Sequence, residues 1–167
     1  LGRLTEAPRI AAYAVTEPGA GSDVASIQTT AVKNGDDYIL NGSKMWITGA
    51  GKADWFFVLA YTDKSAGYKG MSAFIVEAGS DGLSLGKKET NMGQRASDTR
   101  SINFEDVRVP AANLVGGVEG KGWFNAMTAF DLSRPNIAAH ATGISRAAFE
   151  HALQYSDERE TFGKKLH

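Results

Sequence analysis

The chain has 167 residues, of which 43% are hydrophobic and 22% charged, with no cysteine and a net charge of −1. That composition can bury a core and is not that of a disordered segment. It excludes a disulfide framework, thiolate catalysis and cysteine-based zinc sites. A balanced charge leaves no electrostatic basis for binding nucleic acid or an anionic membrane, and no apolar run approaches the roughly 18 residues of a membrane span.

Residues 1–9 read as the tail of a preceding element and a connector. They carry neither a signal nor a transit peptide, and both ends of the chain read as cut. From residue 10 strand signals follow at short intervals. Residues 10–16 are apolar and β-tolerant, 26–34 alternate in part, and Gly35-Asp36 marks a turn. Residues 37–41 lead into Asn41-Gly42, which reads as a tight hairpin before a strand over 43–48. The apolar runs 55–61 and 71–77 read as strands, the first buried on both faces. Shorter strands are expected over 82–88, 100–104 and 107–109, with Pro110 closing the set. About eight short strands with glycine-rich turns predict a small antiparallel β-barrel or sandwich.

Gly116-Gly117 and Gly120 then mark a break, after which the pattern changes. Trp123, Ala126, Met127 and Phe130 repeat at helical spacing, and Ile137, Ala141, Ile144, Ala148, Ala152 and Tyr155 continue it. Pro135 should kink or divide this helix. The fold class is therefore α+β, with a β-domain over 10–115 and a long helical segment within 116–167. Such a helix cannot bury its apolar face alone, so it is expected to pack against something outside this sequence or against a second copy.

Two stretches carry candidate chemistry. In Tyr13-Ala14-Val15-Thr16-Glu17-Pro18-Gly19-Ala20-Gly21-Ser22-Asp23 a strand breaks at a proline and passes two glycines. Positive φ at Gly19 and Gly21 would point successive N–H groups into one concavity, suited to an anionic or heteroaromatic ligand. The same string also reads as a polar surface turn. It is not a dinucleotide fingerprint, because Val24 stands where a third small residue is needed and a β-rich segment follows. The second stretch is Trp46-Ile47-Thr48 before Gly49-Ala50-Gly51. An indole and a hydroxyl two residues apart on a strand share a face and could cover a planar heterocycle. Spacing alone favours a core tryptophan beside a strand-end threonine. His140 and His151 are eleven apart on the helix and no acidic pair joins them, so no metal site is expected. Asp131 and Arg134, three apart, read as a surface ion pair on spacing alone.

Six ordered blocks resemble one family. They are residues 13–23, Lys44-Met45-Trp46-Ile47-Thr48, Asn91-Met92-Gly93-Gln94-Arg95, the run from Phe104 to Pro110, Phe130-Asp131-Leu132-Ser133-Arg134-Pro135, and Glu158-Arg159-Glu160-Thr161-Phe162-Gly163. Together they are similar to the acyl-CoA dehydrogenases, most of all the medium-chain enzymes. The resemblance implies a middle β-domain and the start of a C-terminal helical domain of a longer FAD-dependent enzyme. By the same resemblance Tyr13, Val15, Thr16, Trp46, Ile47 and Thr48 would contact the flavin ring, and Thr48 would hydrogen-bond near N5. Gly21 and Ser22 would lie near the pyrophosphate, with Ser22 also near the substrate thioester. Asp131 and Arg134 would face the CoA moiety. Arg159 and Thr161 would reach a neighbouring subunit's FAD in a dimer of dimers.

The implied reaction takes an α-proton to a carboxylate base and a β-hydride to the flavin, with an electron-transferring flavoprotein as acceptor, in the mitochondrial matrix or the bacterial cytoplasm. No residue here matches the family's base, so this chain alone is expected to be inactive and to carry no catalytic residue. Glu17 stands in the signature, but its family counterpart is structural. The rival readings are a non-catalytic β-domain for binding or assembly and an acyl-CoA oxidase-like flavoenzyme.

Overall fold

The computed structural model describes residues 7–166. The expected connector at 1–9 therefore falls largely outside the described residues. The chain divides into two units, 1–126 and 127–167, further along than the compositional break at Gly116-Gly117.

The first unit is a curled seven-stranded sheet with strand order β1-β4-β2-β3-β7-β6, and β5 pairs with β4 off that path. The strands are β1 (Ala11–Ala14), β2 (Thr30–Asn34), β3 (Asp37–Thr48), β4 (Trp55–Tyr61), β5 (Met71–Glu77), β6 (Leu83–Leu85) and β7 (Thr99–Pro110). The expected antiparallel sheet is mixed: β4 runs parallel to β1 along its start and meets β2 in parallel at Thr30↔Tyr61. Strands β1 and β2 lie on the same edge of β4, one after the other and in the same direction, so residues 15–29 leave that edge after β1 and rejoin it at Thr30.

The apolar runs 55–61 and 71–77 form β4 and β5, paired antiparallel from Trp55↔Glu77 to Tyr61↔Met71. Phe56, Val58 and Ala60 face the main core with Phe74, Val76, Tyr38, Leu40, Phe104 and Val107. Large side chains buried to this extent stabilise the fold by about 1.5–3 kcal/mol each. Leu59 serves the other face of β4, where a Cβ added at Gly122 would meet its Cδ1 and the Ser72 backbone. Gly122 thus lets the chain after β7 approach β5 with no side chain between. Tyr38 Oη donates to Glu119 from the same region, and its burial, with Glu119 beside it, pushes its pKa up to about 12.

Asn41-Gly42 is not a hairpin. The reversal falls at Gly35-Asp36, where Asn34 pairs with Asp37 and Gly35 has φ +61°. Strand β3 then continues for 12 residues through Asn41-Gly42, with a register shift against β7 at that point. The irregularity is held by side chain and backbone together. Asn41 Nδ2 donates to Asp106 Oδ1 (2.9 Å) and Asp106 N donates to Asn41 Oδ1 (2.8 Å). Asp106 takes a left-handed φ of +52° there, so the two strands expected over 100–104 and 107–109 are one. A bulge and a hairpin use the same chemistry, a glycine free to adopt unusual φ after a hydrogen-bonding asparagine.

The helix α1 (Gly122–Glu158) runs 37 residues and is not divided at Pro135, which only removes one donor from its ladder. Beyond Phe130 its apolar positions are exposed, among them Leu132, Ile137, Ile144 and Phe149. The second unit closes with a small hairpin, β8 (Glu160–Thr161) and β9 (Lys164–Lys165). Phe162 and Gly163 both have positive φ at its turn, the type I′ pattern.

Gly42 has φ +145°, and a Cβ there would sit 2.6 Å from Thr29 Oγ1 and 2.7 Å from Thr29 Cα. Gly42→Ala is expected to lower stability by about 2 kcal/mol through this overpacking, measured by urea unfolding. An unchanged midpoint would mean that β3 and the 28–29 segment separate without cost.

Candidate functional site

The exit from β1 and the end of β3 meet at a buried ion pair. Glu17 precedes Pro18, and its N–H and C=O exchange hydrogen bonds with Ala20 (2.9 and 3.1 Å), which closes the turn. Neither Gly19 nor Gly21 lies in the left-handed region, so the turn is made by proline and this reciprocal pair rather than by glycine conformation. A Cβ at either glycine would meet nothing within 4 Å, and Gly19, Gly21 and Ser22 are exposed. The turn therefore offers an open polar face.

The Glu17 carboxylate points the other way. It is 6% exposed and accepts from Gln28 N (2.6 Å), Thr29 N (3.0 Å), Thr29 Oγ1 and Lys44 Nζ (2.9 Å). Lys44 is completely buried and also donates to Val15 O (3.0 Å). Burial opposes the Glu17 charge, but the Lys44 ammonium and the donated hydrogen bonds more than offset it, and its pKa lies below the ordinary carboxylate value. Burial pulls the Lys44 pKa down to about 8, with Glu17 acting against that shift.

Strand β3 breaks register with β7 a second time between Lys44 and Ile47. The extra residue of this bulge resets which side chains face inward. A regular strand would put Lys44, Trp46 and Thr48 on one face. Here Lys44 and Ile47 are buried, and Trp46 and Thr48 are exposed. Trp46 is 56% exposed with φ +62°. It is thus no core tryptophan, and a bulky residue in that conformation costs on the order of 1–3 kcal/mol, a kind of strain that clusters at ligand sites. Gly49 follows at φ +75° and turns the chain away.

The structure brings the two stretches together: Met45 N donates to Thr16 O (2.9 Å), one residue from Trp46. Thr16 is half-buried, while Val15 and Ile47 are buried. The Tyr13 ring stacks on Phe57 at 5.0 Å, its hydroxyl donates to Ala126 O (3.0 Å), and burial pushes its pKa up to about 12. An exposed indole, neighbouring hydroxyls and an open turn of small residues suit a planar heteroaromatic ligand with a polar edge.

Asp131 and Arg134 lie in the second unit as an exposed ion pair at 2.5 Å. Arg159 and Thr161 follow α1 there, Thr161 within the terminal hairpin and paired with Lys164. No helix of the described residues is long and apolar enough to cross a membrane.

The Lys44–Glu17 pair escapes sequence reasoning, yet it leaves a trace. Lys44 is the only charge in 38–51 and Glu17 the only one in 10–22. A lone charge in an otherwise uncharged segment implies a partner when the segment is buried.

The model of the acyl-CoA dehydrogenase middle domain matches residues 12–107, and that of the acyl-CoA dehydrogenase C-terminal domain matches 120–167. A probable medium-chain specific acyl-CoA dehydrogenase 2, mitochondrial, of Caenorhabditis briggsae is 52% identical over 169 aligned positions, covering 99% of this chain and 41% of the relative. The butyryl-CoA dehydrogenase structure of Megasphaera elsdenii is 48% identical with a TM-score of 0.89, over 95% of this chain and 41% of that one. A prolyl acyl carrier protein oxidase superposes with a TM-score of 0.91 at 37% identity, over 95% of this chain and 42% of that one. The chain thus spans about two fifths of the length of such relatives.

Glu17 has its pKa below the ordinary 4.5, so its contribution to stability is fully present above that pH and is lost as pH falls through the lower folded value. Lys44 acts in another window: its buried charge opposes folding below about pH 8, and that opposition is relieved as pH rises towards 10.5. Glu17→Gln should therefore flatten the acid limb of a thermal-midpoint profile below about pH 4.5. An acid limb of unchanged slope would assign it to other carboxylates.

Proposed function

The chain belongs to the acyl-CoA dehydrogenase family, and on that footing we propose that it forms the flavin-side wall and part of the CoA site of an FAD-dependent enzyme that desaturates an acyl-CoA thioester. Bound FAD would supply the acceptor for the hydride that leaves the β-carbon. The observation that carries this reading is Trp46, held outward in a strained backbone beside Thr48 and one residue from the contact with Thr16.

The donor set fits that cofactor. Thr16, Ser22 and Thr48 offer neutral hydroxyls, as the uncharged edge of an isoalloxazine requires, and Trp46 offers a flat apolar face. Tyr13, Val15 and Ile47 belong to the same wall. Gly21 and Ser22 leave room for the pyrophosphate at the turn. Asp131 and Arg134 serve the CoA moiety, the guanidinium suiting phosphate and the carboxylate accepting from amide or amine donors. Arg159 and Thr161 serve a neighbouring subunit's FAD in a dimer of dimers.

Glu17 is not the base. Its oxygens already accept four donors, and its pKa is lowered rather than raised towards neutrality. The α-proton therefore goes to a carboxylate supplied from outside these residues, and the chain by itself is inactive. An electron-transferring flavoprotein takes the electrons, in the mitochondrial matrix or the bacterial cytoplasm.

The test is a visible-absorbance titration with FAD of the protein in its longest natural form. A shifted, resolved flavin band is expected. Its absence would leave the β-domain as a binding or assembly module and overturn the reading. With the flavin in place, Thr48→Ala should slow flavin reduction by acyl-CoA about tenfold or more while leaving the dissociation constant of the thioester nearly unchanged. Equal loss of both would remove Thr48 from its role at the flavin. The oxidase reading is supported by the likeness to a prolyl acyl carrier protein oxidase. Fast reoxidation of the reduced flavin by oxygen in stopped flow would favour it over dehydrogenation.

A further inference from the structure

We propose that Lys44 is a positioning residue for the flavin: it sets the register between the 15–17 turn and the strand end that carries Trp46 and Thr48. The inference rests on the flavin reading above and deepens it.

Pairing along the ladder leaves part of β3 unfixed. Strand β3 pairs with β7 at Lys44↔Ile102 and next at Ile47↔Arg100. Met45 and Trp46 both fall opposite Ser101, so pairing with β7 does not determine where Trp46 points. A second irregularity at Leu40/Gly42 lies on the other side of Lys44. The segment between the two is held instead by the turn. Lys44 Nζ binds the carbonyl of Val15, Met45 N binds the carbonyl of Thr16, and Lys44 Nζ binds the carboxylate of Glu17. Three successive turn residues are thus taken by two successive strand residues, and Trp46 is the next residue in line.

The chemistry of the pair supports positioning over stability. A buried ion pair can often be replaced by apolar residues of similar volume with no loss of stability. An apolar pair would fill the space but would let the turn slide against the strand. Hydrogen bonds from one ammonium to two acceptors on either side of Thr16 fix direction as well as distance. Glu17 in turn is anchored to Gln28 and Thr29, and Thr29 O accepts from Tyr61 N (2.9 Å), so the register is referred to the end of β4.

The experiment compares thermal midpoint and FAD dissociation constant in the longest natural form of the protein. Lys44→Met alone strands the Glu17 charge and is expected to lower both. The double variant Lys44→Met/Glu17→Gln removes the stranded charge and keeps an acceptor for Thr29. It is expected to recover the thermal midpoint, yet to bind FAD about tenfold or more weakly, the effect of losing a hydrogen bond to a charged group. Thr29→Val removes one hydrogen bond to Glu17 and leaves both Lys44 bonds, so it should lower the midpoint at unchanged FAD affinity.

FAD affinity that follows the midpoint across all three variants would overturn the inference and make the pair merely structural. The Thr29→Val comparison decides even if the double variant does not fold. Absence of FAD binding by the unsubstituted protein would overturn the flavin reading itself, and this inference with it. Equal FAD binding by the unsubstituted protein and the double variant would overturn this inference alone.

Discussion

An ammonium and a carboxylate 2.9 Å apart with almost no water around them are an expensive arrangement. Taking each ion out of water costs several kcal/mol, and mutual attraction offsets this only when the remaining lone pairs and protons also find partners. Lys44 and Glu17 come close to that condition. The carboxylate accepts from two backbone N–H groups and a hydroxyl besides the ammonium, and the ammonium reaches a carbonyl as well. Among the described residues no buried side-chain nitrogen or oxygen lacks a partner. The pair ties the exit of β1, residues 28–29 and the middle of β3 into one node.

The node matters because β3 is irregular on both sides of it. One bulge at Asn41-Gly42 is stabilised by the reciprocal bonds between Asn41 and Asp106, and the other releases Trp46 from the ladder. A strand with two such interruptions would be weakly specified if its inward residues did not fix it. Leu40 and Ile47 do so from the apolar side, packed in the core that holds Phe56, Phe74 and Phe104. Lys44 does so from the polar side. The strain at Trp46 persists because both neighbours in the chain are held: Met45 by Thr16 and Ile47 by the core.

The same logic assigns different work to the two sides of the signature turn. Its inward group, Glu17, is saturated with hydrogen bonds and chemically quiet. Its outward groups, Gly19, Gly21 and Ser22, touch little of the protein. A turn stabilised entirely from within leaves its outer face free for a ligand. The strand end repeats the division, with Lys44 and Ile47 inside and Trp46 and Thr48 outside. In both stretches the chain uses interior contacts to present exterior chemistry.

The sequence by itself determined the elements whose signal is local. The runs 55–61 and 71–77 became β4 and β5 to the residue, because continuous apolar stretches bounded by turns have few alternatives. The helix followed from its spacing, and Gly35-Asp36 turned as its residues require. The candidate ligand residues were legible through their resemblance to a family, not through periodicity, which put Trp46 in the core. Tertiary structure alone decided the rest. Asn41-Gly42 became a bulge because Asp106, 65 residues away, supplied both of Asn41's partners and Thr29 left no room beside Gly42. Lys44 turned inward because Glu17, 27 residues earlier, waited there with its charge uncompensated. Local propensity reads only the energies of neighbours in the chain, and a buried charge is settled by whichever partner the fold brings to it.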